Sequence, residues 1–529
     1  MYQPAPRCRI GEGGRPWDFN GEEVRTVEWL LLFLVFGINV PVWSVFSILR
    51  CLDERRRPAS AERSAPPNRL RPADVAVLIP AHDEELGITL AINSTLRLVP
   101  AVNVHVLADG CRDRTAEIAA AHGVRVLELN PGRGKAGAIE EAIEYFQIIR
   151  RFAAVLLVDA DTEVGADYLT HALPMFDDPR MAAIAGYVRP PWSPEDHTFT
   201  GRLLTSYRAR LWTVMQWMRY GQSWRNINVV PIAPGFASMY RTSVLPKIDL
   251  NPPGLIIEDF NMTFELHHKR LGKVGFSPSV NASTEDPDNL PDYYRQVRRW
   301  SLGLWQTLRR HGVWFGRFWF ATGALMLEVV TSSVLILGIV AGAVLLLLVP
   351  LTGGWALDWP VYREVHAVLA PWLSPFDLAV FLFLPDYLVT CVAAVVRRRP
   401  SLLIYGVGFL FVRAVEAVAT MWTFYRMWRT RSSGRWTSPR PPTPPEDEAE
   451  GLPALPAKPG ARRVVLLDAV RVAPVVTVVA LGVVGVLNVL LVAGLLLATV
   501  TALTAWHRPG KAGLQVSSSG AGDPPPGRV

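Results

Sequence analysis

Long apolar runs near both ends of the chain restrict its fold more than any other feature. They cover residues 27–50, 321–350, 376–396, 402–424 and 472–505. Each run is long enough for a membrane-spanning helix, which needs about 20 apolar residues. A segment of mixed composition separates the first run from the others. The pattern predicts a multi-pass membrane protein whose central domain lies outside the bilayer.

Two of these runs have alternative interpretations. The stretch 402–427 contains Arg413 and Glu416, so it is either a membrane helix or a re-entrant or interfacial helix. The stretch 472–505 is either one long span or a tight pair of helices. The predicted organisation is a tail at 1–26, a membrane helix at 27–50, a linker at 51–73, a soluble domain at 74–290, interfacial helices at 291–320, about three membrane helices at 321–430, a Pro-rich linker at 431–463, a membrane helix or hairpin at 464–506 and a disordered tail at 507–529.

The distribution of charge predicts the orientation of the soluble domain. The net charge is +7, which also occurs in proteins that bind nucleic acid. Many arginines flank the apolar runs instead, and no recognition motif is present, so we expect no nucleic-acid partner. Arg50 ends the first run, and Arg55, Arg56 and Arg57 follow it; no cleavage site follows, so this run is expected to be an anchor. Because arginines are retained in the cytoplasm, the domain is expected to face the cytoplasm from the plasma membrane.

The central segment alternates short β-rich runs with helical stretches. The first four predicted strands lie at 75–79, 102–108, 124–129 and 153–158, and the helices between them lie at 84–98, 115–122 and 135–150. Further strands are expected near 182–188 and 234–240, and further helices at 260–270 and 292–312. Such alternation predicts an α/β domain, with a Rossmann-like, mostly parallel sheet covered by helices on both faces.

Polar groups follow the first four predicted strands, where an open parallel sheet binds its ligands. They are PAHDEE (80–85), ADGCRDRT (108–115), GRGKAGA (132–138) and DADTE (159–163). In an extended segment Asp159 and Asp161 point the same way, and hard oxygen ligands suit Mg²⁺ or Mn²⁺ bound to a diphosphate. Any single group has a plainer explanation as a turn or cap, and Asp113 or Thr115 is expected to cap the following helix.

In this order, the four groups resemble the nucleotide-sugar half of family 2 glycosyltransferases with a GT-A fold. Three later segments extend the resemblance: APGFASMYRTSVL (233–245) is similar to the acceptor-side segment, IIED (256–259) to the Thr-Glu-Asp segment and QVRRW (296–300) to the Gln-x-x-Arg-Trp signature. The resemblance covers residues 74–312. The N- and C-terminal apolar runs are similar to the transmembrane helices of cellulose, chitin, hyaluronan and poly-N-acetylglucosamine synthases.

The resemblance implies an inverting hexosyltransferase that forms a β-linkage by metal-assisted single displacement. It implies Asp259 as general base with Glu258 as helper, and Asp161 with Asp159 as ligands of Mg²⁺ or Mn²⁺. The residues implied to contact the nucleotide-sugar donor are Pro80, Glu84, Asp109, Lys135 and Asp159, and those implied for acceptor and diphosphate are Gln296, Arg299 and Trp300. Departures from the family pattern at Asp83, Ala108, Cys111 and Ile257 leave the sugar undetermined.

Two of these assignments have structural alternatives. Asp259 precedes a helical stretch, and Asp is a favoured helix N-cap. The QVRRW helix also carries the tryptophans and arginines of an amphipathic helix at a membrane surface.

Three functions follow in order of preference. The first is processive polysaccharide synthesis and export from a nucleotide sugar, expected to be a UDP-sugar. Its partners would be a polysaccharide or lipid-linked acceptor, membrane lipids and accessory export subunits. The second is transfer of one sugar to a lipid or glycan. The third is a non-catalytic membrane scaffold that keeps a nucleotide-sugar fold.

Overall fold

The computed structural model describes residues 70–220, 227–370, 383–430 and 460–483. Several sequence predictions lie outside the described residues: the tail at 1–26, the membrane helix at 27–50, almost all of the linkers at 51–73 and 431–463, and the tail at 507–529.

The strands of the described part form one eight-stranded sheet in the order β3-β2-β1-β4-β7-β6-β8-β5. Their bounds are β1 Val75–Ala81, β2 Val104–Asp109, β3 Arg125–Leu129, β4 Ala154–Val158, β5 Thr162–Val164, β6 Met181–Val188, β7 Ala237–Arg241 and β8 Lys273–Thr284.

The α-helices of the described part surround this sheet or follow it in the chain. Their bounds are α1 Ile88–Leu96, α2 Thr115–Ala121, α3 Gly134–Tyr145, α4 Ile148–Arg151, α5 Tyr168–Ala172, α6 Phe199–Trp212, α7 Glu258–His268, α8 Leu290–His311, α9 Arg317–Leu351, α10 Pro360–Leu369, α11 Leu384–Arg397, α12 Ser401–Tyr405, α13 Phe409–Arg426 and α14 Ala461–Val483. A π-helical segment, Thr213–Tyr220, continues α6.

The first four strands are parallel to one another, as predicted. Strands β1, β2 and β4 are buried along their whole length, which is typical of parallel strands covered on both faces. Alternate residues of β1 point to opposite faces: Val77 belongs to the core that includes Ile92 of α1, and Leu78 to the core that includes Ile139 of α3. The carboxyl ends of β1, β2 and β4 therefore meet at one edge.

The remaining strands make the sheet mixed: β6 and β8 pair in parallel, whereas β5 and β7 run antiparallel to their neighbours. Strand β7 runs antiparallel to both β4 and β6, and β5 runs antiparallel to β8. The sequence pattern gives the position of a strand but not its direction. Strand β8 was not predicted because its irregular burial and register shifts against β6 obscure a period of two.

Among the described residues, two helical stretches are long and apolar enough to cross a membrane, Arg317–Leu351 and Ser401–Arg426. They coincide with the predicted runs at 321–350 and 402–424. The run at 376–396 is described only from residue 383 onwards, where α11 lies. The run at 472–505 is described only as far as the end of α14 at Val483.

Candidate active site

Asp109 fixes the start of helix α3. It lies at the end of β2 and is buried. Its carboxylate accepts hydrogen bonds from the backbone N–H groups of Arg133, at 2.6 Å, and Gly134, at 2.7 Å. The first N–H groups of a helix have no partner within the helix and favour a negative charge. Asp109 therefore places the next residue of α3, Lys135. Its predicted contact with the donor stays a prediction.

Lys135 joins acids from two other elements. Its Nζ lies 2.6 Å from Asp159 Oδ1, just after β4, and 2.8 Å from Glu258 Oε1, at the start of α7. Burial alone would lower the pKa of Lys135, but the two carboxylates raise the pKa above its ordinary value. The side chain therefore stays an ammonium, and it brings three of the predicted site residues together.

Glu258 and Asp259 are adjacent acids with opposite pKa shifts. Burial, together with the neighbouring Glu258 carboxylate, raises the pKa of Asp259 to about 7. Burial also acts to raise the pKa of Glu258, but the Lys135 ammonium outweighs it, and the pKa is lowered. Acid and base roles are commonly assigned where two environments separate the pKa values of neighbouring acids. Asp259 is the member of this pair that exchanges a proton near neutral pH.

Backbone amides orient the Asp259 carboxylate. Gly235 N–H donates to Oδ2 at 2.9 Å, and Phe260 N–H donates to Oδ1 at 2.6 Å. Helix α7 begins at Glu258, with Ile257 as its N-cap residue. Asp259 is therefore not the N-cap residue, although its carboxylate accepts from the first-turn N–H of Phe260. Gly235 belongs to the segment 233–245, so the predicted acceptor-side segment contacts the predicted base.

Gly235 leaves room for this cluster, and we expect Gly235→Ala to disturb it. A Cβ atom at Gly235 would lie 2.9 Å from Lys135 Nζ and 3.1 Å from Glu258 Oε1. Because a lysine tip is flexible, it can move away at little cost in stability, but the ion pair with Glu258 then lengthens. We expect turnover to fall by about tenfold, equivalent to about 1.4 kcal/mol in the activation barrier, with the melting temperature nearly unchanged.

The matched control is Gly323→Ala, because a Cβ atom there has no neighbour within 4 Å. Sugar transfer and thermal unfolding are measured for both variants. Wild-type turnover in Gly235→Ala would show that the Lys135–Glu258 distance does not affect transfer.

Asp159 and Asp161 lie in a turn, not in the extended segment that the sequence analysis assumed. Strand β4 ends at Val158, and Thr162 N–H donates to the Asp159 carbonyl at 3.0 Å, which closes the turn. The Asp161 carboxylate lies 3.4 Å from the hydroxyl of Thr162 and 3.5 Å from that of Thr284 in β8. Their role as metal ligands stays a prediction.

Pro80 and Glu84 lie at and just beyond the end of β1. Pro80 is a buried residue of β1, aligned with Leu107 of β2. Glu84 is buried, and its backbone N–H donates to Thr115 Oγ1 at 2.8 Å. The N-cap residue of α2 is Arg114, so neither Asp113 nor Thr115 is the cap, although the Asp113 carboxylate accepts from Thr115 N–H at 3.0 Å. The donor contacts of Pro80 and Glu84 stay predictions.

A second group of metal-ligand types lies nearby, but local contacts explain it. Ligand atoms of Asp83, Cys111 and Asp113 lie within 4.8 Å of one another. The Asp83 carboxylate accepts from Arg112 N–H at 2.7 Å, and Asp113 accepts from the N–H of Glu85 at 2.9 Å. Burial raises the pKa of the Cys111 thiol to about 11, whereas a metal ligand has to be a thiolate. We assign no metal to this group.

The QVRRW segment lies in α8, and an arginine that was not predicted contacts it. Arg208 of α6 donates a hydrogen bond to Gln296 Oε1. Its guanidinium lies 4.5 Å from the centre of the Trp300 ring. It also forms a buried ion pair with Asp286 at 3.0 Å. Gln296 and Trp300 are therefore held by Arg208, and one face of the Trp300 ring is covered.

Arg299 lies towards the acids instead. It is exposed, and its charge acts to lower the pKa of Glu258. Helix α8 also contacts the segment before Glu258: Ile256 N–H donates to Gln306 Oε1 at 3.2 Å, and a Cβ atom at Gly303 would lie 2.8 Å from the Ile257 side chain. The tight packing at Gly303 positions the QVRRW helix against the predicted base.

The structure thus joins most of the predicted site residues through direct contacts. One chain of contacts runs from α3 to the acceptor-side segment and contains Asp109, Lys135, Asp159, Glu258 and Asp259. A second group, around Arg208, contains Asp286, Gln296 and Trp300. Asp161 lies beside Thr284, and Thr284 precedes Asp286 by two residues in the sequence. The two groups are linked through Thr284 and through the packing of α8 against Ile257, and the roles of these residues stay predictions.

Comparisons with known proteins find glycosyltransferases similar to this chain. Residues 154–358 match the family described as Glycosyl transferase family group 2. Over 244 residues the chain is 25% identical to a "Probable glycosyltransferase YdaM" of Bacillus subtilis. The aligned region is 43% of this chain and 54% of the relative. Over 243 residues it is 23% identical to a poly-β-1,6-N-acetyl-D-glucosamine synthase of Staphylococcus epidermidis. This alignment covers 45% of this chain and 56% of the synthase. The match therefore spans about half the length of each relative.

Solved glycosyltransferase structures are also similar to this chain, at low identity. The mannosyltransferase PcManGT from Pyrobaculum calidifontis, solved with GDP-Man and Mn²⁺, is 16% identical, with 75% of this chain and 99% of that chain covered and a TM-score of 0.45. Glucosyl-3-phosphoglycerate synthase from Mycobacterium tuberculosis is 15% identical, with a TM-score of 0.31. The match covers 49% of this chain and 87% of the synthase. The family match and the curated relatives support a family 2 glycosyltransferase, as the motifs predicted.

Proposed function

We propose that this chain is an inverting membrane glycosyltransferase that moves a sugar from a UDP-sugar to a growing polysaccharide and passes the product across the membrane. The observation that carries the proposal is the Asp259 carboxyl, whose pKa is raised to about 7 beside the Lys135–Glu258 ion pair. A general base works best when its pKa lies near the working pH.

In the proposed reaction, the acceptor hydroxyl transfers its proton to Asp259 as it attacks. A bond forms between the acceptor oxygen and the anomeric carbon, and the bond from that carbon to the diphosphate oxygen breaks. One displacement inverts configuration, so an α-linked donor gives a β-linked product. The amides of Gly235 and Phe260 hold the carboxylate in one orientation, and this pre-organisation keeps the base within reach of its proton.

Cationic side chains meet the charge of the leaving diphosphate. Lys135 is the ammonium held between Asp159 and Glu258. Arg299 is exposed beside Glu258, and a guanidinium pairs well with diphosphate oxygens. The QVRRW helix therefore supplies positive charge near the acid pair, where it would act on the leaving diphosphate.

A divalent cation fits the acids after β4. Asp159 and Asp161 offer hard carboxylate oxygens, and the hydroxyls of Thr162 and Thr284 lie beside Asp161. These are the ligand types that Mg²⁺ and Mn²⁺ prefer. A bound cation would neutralise charge on the leaving diphosphate. Since Lys135 already contacts Asp159 Oδ1, the cation and the ammonium would share this carboxylate.

The rate of transfer is expected to rise with pH through about 7. The pKa of Asp259 is raised, so the carboxyl is protonated below that pH and cannot accept a proton. Above it the carboxylate is free to act, so kcat under saturating donor rises to a plateau. Because Glu258 is adjacent, the observed midpoint belongs to the pair. A flat profile of kcat between pH 5.5 and 8.5 would exclude this carboxyl as the base.

The function is tested with purified protein in lipid and a panel of UDP-sugars. One curated relative is named as a poly-β-1,6-N-acetyl-D-glucosamine synthase, so UDP-N-acetylglucosamine is the first donor to test. We expect UDP release with either Mg²⁺ or Mn²⁺ and its loss with a chelator. Activity that survives chelation would remove the metal role of Asp159 and Asp161.

The size of the product separates the remaining possibilities. A polymer supports processive synthesis, for which the two candidate membrane helices would provide part of an export path. A product with one added sugar, on a lipid or glycan, supports the second function. No product from any donor, combined with a cellular phenotype that Asp259→Asn leaves unchanged, supports a scaffold.

A further inference from the structure

Glu416 is a charged residue within an apolar helix, and the structure shows its partners. It lies in α13, which is part of the candidate membrane helix Ser401–Arg426. One carboxylate oxygen accepts from the hydroxyl of Tyr207 at 2.5 Å, and the other accepts from the hydroxyl of Tyr293 at 2.6 Å. The charge therefore faces protein, which is the usual location of an ionisable residue in an apolar helix.

The two tyrosines lie on the helices that meet at the QVRRW segment. Tyr207 belongs to α6 and precedes Arg208, and Tyr293 belongs to α8 and precedes Gln296 by three residues. Both tyrosines are buried. The Arg208 guanidinium also lies 5.5 Å from the centre of the Tyr293 ring. Glu416 thus holds α6 and α8 together one helical turn from the contact between Arg208 and Gln296.

The other buried arginines of α6 join it to different helices. Arg202 pairs with Asp468 of α14 at 2.5 Å, and Arg210 pairs with Asp386 of α11 at 2.6 Å. These two ion pairs serve as a comparison for the Glu416 contacts. They are buried and involve the same helix, α6, but they join it to helices other than α8. A role specific to Glu416 is therefore separable from the general stability of α6.

We propose that Glu416 is a positioning residue for sugar transfer. It acts through Tyr207 and Tyr293 to fix the position of α8 relative to Glu258 and Asp259, and it makes the QVRRW helix respond to movement of α13. The proposal rests on the proposed function for its kinetic readout. Most of the residues predicted to contact the donor lie on other elements, so loss of Glu416 is expected to affect the transfer step more than donor binding.

The test compares Glu416→Ala, Glu416→Gln and the control Asp468→Asn. We expect Glu416→Ala to lower kcat by about tenfold, because two hydroxyls lose their shared partner, and to change the donor KM by less than about twofold. Glutamine still accepts from one tyrosine and donates to the other, so Glu416→Gln is expected to recover most of this loss. Asp468→Asn is expected to lower the melting temperature and to leave kcat within about twofold.

Tyr293→Phe keeps the proposal testable if Glu416→Ala does not fold. It removes one hydroxyl, and we expect the same loss of kcat with unchanged donor KM, without a further loss when combined with Glu416→Gln. The proposal is overturned if Asp468→Asn lowers kcat as much as Glu416→Ala, or if donor KM and kcat change together.

Hydrogen exchange of the amides in α8 gives a readout that needs no donor. Glu416→Ala is expected to speed exchange in residues 290–300, and Asp468→Asn is not. If the wild type transfers no sugar while this difference is present, the proposed function fails and the link between α13 and α8 remains. If exchange in α8 is the same in all variants, the link itself is absent.

Discussion

Replacement of Asp259 by Asn is expected to lower kcat by about a hundredfold to ten thousandfold, the usual contribution of a general base. Asparagine has the same shape but cannot take the proton of the acceptor hydroxyl at neutral pH. The rise of kcat with pH should disappear in the same variant, since the carboxyl that titrates near pH 7 is gone. Donor binding is expected to change little, because Lys135 keeps its contacts with Asp159 and Glu258.

The measurement pairs turnover with donor binding and thermal unfolding. Asparagine offers one acceptor oxygen, so either Gly235 N–H or Phe260 N–H loses its partner, and a modest loss of stability is expected. Asp178→Asn is the control, because Asp178 pairs with Arg180 and Lys273 outside this cluster. Turnover above a third of the wild-type value in Asp259→Asn would assign the base to another residue.

The parallel half of the sheet was predictable because its strands have a simple physical signature. The runs at β1, β2 and β4 are short, apolar and separated by helices, and burial on both faces leaves such runs nearly uninterrupted. The edge where their carboxyl ends meet then follows, and with it the clustering of Asp109, Lys135 and Asp159. The antiparallel pairing of β7 depends on contacts between distant segments, which a local pattern does not contain.

Within the site, the sequence located the acids better than it located their partners. The sequence did not indicate that Lys135 lies between Asp159 and Glu258, and its assignment to the nucleotide stays a prediction. A glycine-rich segment signals a loop but not the direction of the lysine that follows it. Asp159 and Asp161 were expected in an extended segment after the strand, but the chain turns there, directly after β4 ends at Val158.

Helix α6 was missed because its buried face carries charge. Arg202, Arg208 and Arg210 are all buried, so the apolar period that marks an amphipathic helix is interrupted. Buried arginines are tolerated only with acidic partners. The acidic partner is separated along the sequence by 78 residues from Arg208, by 176 residues from Arg210 and by 266 residues from Arg202. A single sequence gives no means of pairing residues at such separations, although an arginine in an apolar stretch is itself a signal.

Loss of Arg208 is expected to have the largest effect on stability. Arg208→Leu leaves the Asp286 carboxylate buried without its 3.0 Å partner, and a buried ion pair broken on one side costs about 3–5 kcal/mol. Burial already raises the pKa of Asp286 against the opposing effect of Arg208, so the variant raises it further. A raised folded-state pKa means that stability is retained when the acid is protonated and falls as pH rises. The deficit in melting temperature should therefore be smaller at pH 5 than at pH 8.

Two further variants separate the charge of Arg208 from its geometry. In Arg208→Leu with Asp286→Leu no charge remains buried, and the double variant is expected to recover most of the lost stability, as apolar replacements of buried pairs often do. Arg208→Lys keeps the charge beside Asp286. A single ammonium, however, cannot replace the planar guanidinium, which also donates to Gln296 and covers the Trp300 ring. Arg208→Lys should therefore have nearly the melting temperature of the wild type. It should transfer sugar about tenfold more slowly, which corresponds to an increase of about 1.4 kcal/mol in the activation barrier. Equal activity in Arg208→Lys and wild type would mean that Arg208 serves the fold alone, and the acceptor role of Gln296 and Trp300 would then need another support.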